Sequence, residues 1–327
     1  MKFYRGISTD PYFNLAAEQY LLDTEDGEIF MLWRNVRSVI LGRNQNAYAE
    51  VNLPFVEENG IPVVRRLTGG GAVFHDLGNL NFTFIVPRAQ CPELDFARFA
   101  RPVAEVLCEL GVPAELSGRN DLVAGGRKIS GNAQCVWRDK VMHHGTLLVD
   151  ADLSFLEGAL RADADKLKSK GIKSVRSRVG NLSEFLPGLD AEGLARRLED
   201  RILDGVGDFP AAERAVFTEE QRVGIETLAR EKYRTWEWNF GASGTFGQNV
   251  KRRFPYGCVE LSFEAEHGVL TGVRMTGDFF GIRPVRELES ALLGCRLIRS
   301  ELAGRLEEVG QYVHGASPDE SAEMFEG

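Results

Sequence analysis

Three consecutive glycines, Gly69, Gly70 and Gly71, separate a pair of arginines, Arg65 and Arg66, from an apolar run that ends at His75. The stretch reads RRLTGGGAVFHD, with Pro62–Arg66 predicted as a strand leading into the loop and Ala72–His75 as a strand leading out. Without Cβ atoms the triplet can take φ > 0, and a ligand can come close to its backbone N–H groups. A loop of this shape suits a polyanion or an activated carboxylate.

A second block, RNDLVAGGRKISGNAQ from Arg119 to Gln134, carries a hairpin signal at Gly125-Gly126. A two-residue turn sets Ala124 opposite Arg127, Val123 opposite Lys128 and Asp121 opposite Ser130. Asp121, Val123, Lys128 and Ser130 then share a face, with Asp121 and Lys128 diagonal neighbours roughly 7–8 Å apart at the backbone. The plain reading is a surface ion pair on a hairpin. A cation facing a glycine-rich anion loop, beside a carboxylate able to hold a metal, points instead to a nucleotide-activation site.

RRLTGGGAVFHDLGN, SGRNDLVAGGRKISGNAQ, HHGTLL and KSKGIKSVRSRVGNLSE follow one another in the order found in lipoate–protein ligase A, and the similarity continues through TWEWNFG and the tail. The chain thus resembles that family over essentially its whole length. The resemblance implies an ATP-dependent ligase that adenylates lipoate and passes the lipoyl group to a lysine of an acceptor protein. It also implies the α/β (α+β) catalytic fold shared with biotin ligases and class II synthetases: a mixed, mostly antiparallel sheet with flanking helices, plus a small α+β C-terminal domain. Lys128 is the expected catalytic residue. ATP is expected at Arg66, Gly71, Ala72, Val73, Phe74, Asp121 and Lys128, with Mg²⁺ at Asp121. Lipoate is expected at Trp33, Arg66, Gly70, His75, Lys128 and His144. The implied acceptors are apo lipoyl domains of 2-oxoacid dehydrogenase complexes and the glycine-cleavage H protein, and the enzyme is expected to be a monomer. Two positions depart from the family: Leu67 replaces a small polar residue, and Cys135 stands where some ligases carry arginine.

At 327 residues the chain has room for one large and one small domain. The boundary is expected at the glycine-rich GASGTFG segment, giving a catalytic domain over 1–245 and an accessory domain over 246–327, the latter read as a ββαα unit. A net charge of −9 argues against nucleic acid as a partner. No apolar run reaches membrane-spanning length and the N-terminus lacks a signal-peptide core, so a cytoplasmic location without membrane association is expected. Six cations between Lys166 and Arg178, with no acid among them, form a basic island aimed at nucleotide phosphates or an acidic acceptor surface. The five cysteines show no metal or disulfide spacing, and buried free thiols with no structural metal are expected.

His143 and His144, adjacent on a strand, must face opposite sides, with His144 on the face of Thr146 and Leu148. Trp236 and Trp238 read as packing residues, and Trp33 as packing or as a wall of an acyl tunnel. Two competing functions remain from the sequence. One is an ATP-independent octanoyl or lipoyl transferase, for which Cys135 is the thiol nearest Lys128 in sequence. The other is a non-enzymatic lipoyl-binding scaffold.

Overall fold

The computed structural model describes residues 1–161, 179–241 and 247–325. The basic island between Lys166 and Arg178 and most of the GASGTFG segment lie outside them. Helix α1 (Pro11–Thr24) starts where its sequence says it should, with Pro11 in the first turn and the Asp10 carboxylate accepting from the Tyr12 N–H.

Eight strands form the main sheet. From one edge these are β11 (Glu213–Ala215), β1 (Lys2–Arg5), β2 (Ile29–Trp33) and β6 (Asn79–Pro87), followed by β10 (Lys140–Leu148), β9 (Arg127–Trp137), β8 (Asp121–Ala124) and β7 (Glu115–Ser117). Only the β11–β1 and β1–β2 pairs are parallel. The mixed, mostly antiparallel architecture read from the sequence is therefore what the chain adopts.

Strand alternation divides the sheet into two faces. One face carries Phe30, Leu32, Phe82 and Phe84 into a core closed by helix α2 (Phe96–Glu109) and helix α3 (Ala191–Asp204). Asp95 caps α2 through the Arg98 N–H, so Pro102 lies inside the helix rather than at its start. His143 belongs to this face. It is fully buried, stacked 4.8 Å from Phe99 and 6.2 Å from Phe82, with Nε2 against Asn132 Oδ1. The opposite face carries Met31, Trp33, Asn81, Thr83 and His144 towards α1.

A second, three-stranded sheet places β3 (Ser38–Leu41) between β4 (Val63–Arg65) and β5 (Val73–His75). Its own alternation turns Val39, Leu41 and Phe74 into a separate core, while Ile40, Val73 and His75 look back towards the main sheet. The glycine triplet is the β4–β5 connection.

The β8–β9 hairpin departs from the expected register. Ala124↔Arg127 and Val123↔Lys128 pair as expected, but Leu122 pairs with Ser130 and Asp121 with Gly131. Ile129 is the extra residue of a β-bulge. Leu122 and Ile129 both enter the core closed by α2, and Ser130 beside them is buried as well.

The C-terminal unit has three antiparallel strands rather than two: β12 (Gln248–Phe254), β13 (Gly257–Glu266) and β14 (Val269–Gly277). β12 is hidden in sequence by Lys251, Arg252 and Arg253. The β13–β14 turn uses His267 at φ 51° and Gly268 at φ 77°, the left-handed pair a tight hairpin requires. Helix α4 (Val285–Leu292) and shorter helices pack on this sheet around a core of their own, including Phe263, Leu288 and Leu306. No helix among the described residues is long and apolar enough to cross a membrane.

Burial holds the His143 imidazole well below its usual pKa of 6.5, so the ring stays neutral when folded. The unfolded chain takes up a proton there as pH falls and the folded chain does not, so acidification costs stability. Between pH 7.5 and 5.5 this one residue should remove about 1.4 kcal/mol. Urea unfolding of wild type and His143→Phe at both pH values should show the variant losing less stability by about that amount. Identical losses would contradict it.

Candidate active site

A cavity of about 530 Å³ lies between the inner faces of the two sheets and beneath the tip of the C-terminal unit. Its size suits a small-molecule ligand. Leu15, Trp33, Ile40 and Val73 give it an apolar lobe, and Lys128, Arg119 and Arg253, with the carboxylates Asp121 and Asp278 among them, give it a mainly cationic mouth. Of the residues singled out from sequence, Trp33, Arg66, Gly70, Gly71, Val73, His75, Asp121, Lys128 and His144 line it together. Ala72 and Phe74 do not: their side chains turn to the core behind the second sheet, as alternation along β5 requires.

Lys128 Nζ sits 2.7 Å from Asp121 Oδ1, the diagonal pair expected of the hairpin, preserved despite the bulge. The backbone of β9 is fixed beside it by the Gly180 N–H donating to the Lys128 carbonyl. Gly131 makes room for the ammonium, since a Cβ there would lie 2.8 Å from Nζ.

The two arginines of the glycine block have different tasks. Arg65 is buried and donates to the carbonyls of Gly42, Arg43, Gln45, Trp238 and Asn239, so it is a structural hub. Arg66 donates to Thr68 Oγ1 and to the carbonyls of Ile40, Gly69 and Gly71, which ties down the loop. Of its five N–H donors four are thus engaged, leaving one for a ligand. Burial lowers its pKa to about 10, which keeps it charged at neutral pH.

Gly69 and Gly70 also divide the work. Gly70 is left-handed at φ 86°, and its N–H donates to the Phe279 carbonyl of the C-terminal unit. A Cβ on Gly69 would come within 2.2 Å of that same carbonyl. The loop is therefore a seat for the C-terminal unit as well as a cavity wall. Arg119 completes the contact, donating to the Tyr256 carbonyl with its guanidinium 4.4 Å from the Phe280 ring.

Behind the cavity a hydrogen-bonded chain crosses from sheet to sheet. Trp33 Nε1 donates to Thr83 Oγ1 (2.9 Å), which donates to Glu18 Oε1 (2.6 Å). The same oxygen lies 2.8 Å from His144 Nδ1, and His144 Nε2 lies 2.8 Å from Thr68 Oγ1. Glu18 was not singled out from sequence. The signal was available: it is a carboxylate on the apolar face of α1, three residues after Leu15 and four before Leu22. Thr68, Thr146 and the C-terminal Asp278 and Arg253 had no comparable signal.

Cys135 and Leu67 both pack in the core around α1 and away from the cavity lining. Burial pushes the Cys135 thiol up to about 12, so no thiolate nucleophile forms there. No cysteine lines the cavity. Four of the five thiols are buried, while Cys108 is exposed, contrary to expectation. Trp236 is likewise exposed rather than packed, whereas Trp238 donates its indole N–H to the Arg65 carbonyl.

Residues 10–203 match the family model described as lipoyl protein ligase A/B catalytic domain, and residues 243–325 match that of the bacterial lipoate protein ligase C-terminus. The chain is 44% identical to lipoate-protein ligase LplJ of Bacillus subtilis, covering 92% of this chain and 91% of that protein. It is 41% identical to lipoate–protein ligase 1 of Staphylococcus aureus, covering 90% of each. Among solved structures, a lipoate-protein ligase A bound with ATP superposes with a TM-score of 0.61 at 28% identity, over 74% of this chain and 99% of that one. A bipartite lipoate protein ligase from Thermoplasma acidophilum, solved with its E2 lipoyl domain, gives 0.64 at 29% identity, over 73% and 96%. Plasmodium falciparum LipL1 in complex with lipoate shares the fold, with a TM-score of 0.76 at 23% identity over 94% of both chains. By its sequence relatives and its matched domains, the chain belongs to the lipoate–protein ligase family.

Proposed function

We propose that this protein is an ATP-dependent lipoate–protein ligase that forms lipoyl-AMP with release of pyrophosphate and transfers the lipoyl group to a lysine of an acceptor domain. The observation that carries this reading is the joining of an apolar lobe to a cationic mouth around Lys128 in one cavity. An acyl chain fits the first and a triphosphate the second. Relatives solved with ATP and with bound lipoic acid support the two substrates.

In the first half-reaction the lipoate carboxylate attacks the α-phosphorus of ATP. The Lys128 ammonium and the N–H groups at the start of β5 meet the charge that develops on the phosphoryl oxygens, and the remaining Arg66 N–H orients the carboxylate. Asp121, ion-paired with Lys128, would be the residue to hold Mg²⁺. One carboxylate beside the substrate's own phosphates is the kind of donor set this ion takes in nucleotide enzymes, and it would neutralise charge on the departing pyrophosphate. In the second half-reaction the acceptor amine attacks the mixed anhydride, and Lys128 stabilises the oxyanion without being modified. The lack of any cysteine in the cavity, together with the raised Cys135 pKa, disfavours the ATP-independent transferase.

The acceptors assigned on this reading are apo lipoyl domains of 2-oxoacid dehydrogenases and the glycine-cleavage H protein, met by a monomeric enzyme in the cytoplasm. Residues 1–245 form the catalytic domain and 246–327 the accessory domain, whose Phe279 carbonyl and Asp278 face the activation site.

Incubating the protein with ATP, lipoate and an apo lipoyl domain should add one lipoyl mass to the domain, dependent on both small molecules. Lys128→Ala should lower pyrophosphate release and transfer from pre-made lipoyl-AMP alike, each by a factor of roughly 10² to 10³. Normal pyrophosphate release by the variant would remove Lys128 from the first half-reaction.

Gly70→Val should cripple ligand binding. The left-handed backbone resists a β-branched side chain, and the new Cβ would lie 3.0 Å from both Arg66 Nη2 and the Phe280 ring. Calorimetry should show loss of nucleotide and lipoate affinity by at least about tenfold, from strain of about 1–3 kcal/mol. The thermal midpoint should fall by only a few degrees. Global unfolding in place of affinity loss would make the loop purely structural.

A further inference from the structure

A histidine that the proposed reaction leaves unused is joined to the activation site through one asparagine. His143 sits among Phe82, Phe96 and Phe99, with ring centroids 6.2, 6.0 and 4.8 Å away. Its Nε2 lies 3.2 Å from Oδ1 of Asn132, a buried residue of β9 at the cavity wall, on the same strand as Lys128. Gly145, opposite on β10, leaves room for that oxygen, since a Cβ there would come within 2.3 Å of it.

The other end of the Asn132 amide reaches the turn between β7 and β8. Its Nδ2 donates to the Asn120 carbonyl at 3.1 Å and to Ser130 Oγ at 3.3 Å, which uses both hydrogens. Asn120 returns the contact. Its Nδ2 donates to the Asn132 carbonyl at 2.6 Å, and its own carbonyl also accepts from the Asn132 backbone N–H at 2.9 Å. A carbonyl can only accept, so the NH₂ of Asn132 must face Asn120 and its oxygen must face His143. Burial keeps the His143 ring neutral, and its hydrogen is therefore on Nε2. Nδ1 is left bare, and it is the ring nitrogen without a partner among the described residues.

The Asn120 carbonyl belongs to the peptide unit that leads into Asp121, whose Oδ1 meets Lys128 Nζ at 2.7 Å. Asn132 grips that peptide from the strand that also carries Lys128, and so fixes the two charged partners relative to each other. The rigid aromatic core holds the grip in place through His143. We propose that Asn132, oriented by His143, is a positioning residue for the first half-reaction, setting Asp121 against Lys128 at the triphosphate end of the cavity. The proposal rests on the reading of Asp121 and Lys128 as the nucleotide-activation pair. The second half-reaction no longer contains the triphosphate and depends less on where Asp121 stands.

The test measures pyrophosphate release and transfer from pre-made lipoyl-AMP separately, on full-length Asn132→Ala, His143→Phe and His143→Gln. A misplacement of about 1 Å can cost roughly 10² in rate, so Asn132→Ala should slow pyrophosphate release at least about tenfold and transfer by less than about threefold. Calorimetry should show weaker binding of ATP in excess Mg²⁺ with lipoate affinity unchanged. His143→Phe keeps the aromatic packing and removes the donor to Asn132, so it should show the same selective loss to a smaller extent. His143→Gln, whose amide can donate to Asn132 Oδ1, should regain part of it. Equal slowing of both half-reactions by Asn132→Ala would make its role structural and overturn the proposal. Undiminished pyrophosphate release in His143→Phe, which leaves Asn132 in place, would overturn it too. A wild type that releases no pyrophosphate from ATP and lipoate would instead sink the ligase reading itself.

Discussion

Arg66 on the cavity wall and the buried carboxyl group of Glu18 behind it are joined by the hydrogen-bonded chain through Thr68 and His144. Burying an isolated charge is prohibitive, and a charge held by several good hydrogen bonds is not. Arg66 meets that demand by gripping the glycine loop, and Glu18 by gathering Thr83 and His144. The same bonds that satisfy the charges therefore fix the second sheet against the first. The cavity is the space this brace holds open, and its lining side chains have little freedom to rearrange. Preorganisation of that kind is what makes a fixed cation effective towards charge appearing during reaction.

The loop that Arg66 holds has a second face. Gly69 admits the Phe279 carbonyl, and Gly70 donates to it, so the C-terminal unit docks on the very backbone proposed to meet the nucleotide. Arg119 adds a grip on Tyr256 and Phe280 from the other side of the mouth. Occupation of the activation site and the seating of the accessory unit thus depend on one short segment. Gly69 and Gly70 meet the same Phe279 carbonyl in different ways, the first by having no Cβ and the second by donating its N–H.

The outline of this arrangement was legible in the chain. The Asp10-Pro11 cap, the glycine loop and the Gly125-Gly126 turn are local devices, and each lies where its residues indicate. Opposite orientations of His143 and His144 followed from strand alternation alone. What escaped depended on tertiary competition. The bulge at Ile129 shifts the register by one residue, which the hairpin turn alone does not foretell. Strand β12 was masked by three successive cations, Lys251 to Arg253, although Val250, Arg252 and Phe254 alternate beneath them. Ala72 and Phe74 turn their side chains to the core behind the second sheet, which leaves their backbone N–H groups as what they can offer a nucleotide. Glu18 was the most readable omission, since a carboxylate on an apolar helix face needs an explanation.

The central claim is that one continuous cavity binds the acyl chain and the adenylate phosphate together, with Lys128 between them. A non-hydrolysable lipoyl-sulfamoyl adenosine tests it most directly, because it links both halves through a mimic of the mixed anhydride. Calorimetric titration of the protein should give an affinity at least about a hundredfold tighter than that of lipoate or AMP alone, as expected when two groups bind as one ligand. An affinity no better than that of the tighter half would mean that the lobe and the mouth are separate sites, and would contradict the account.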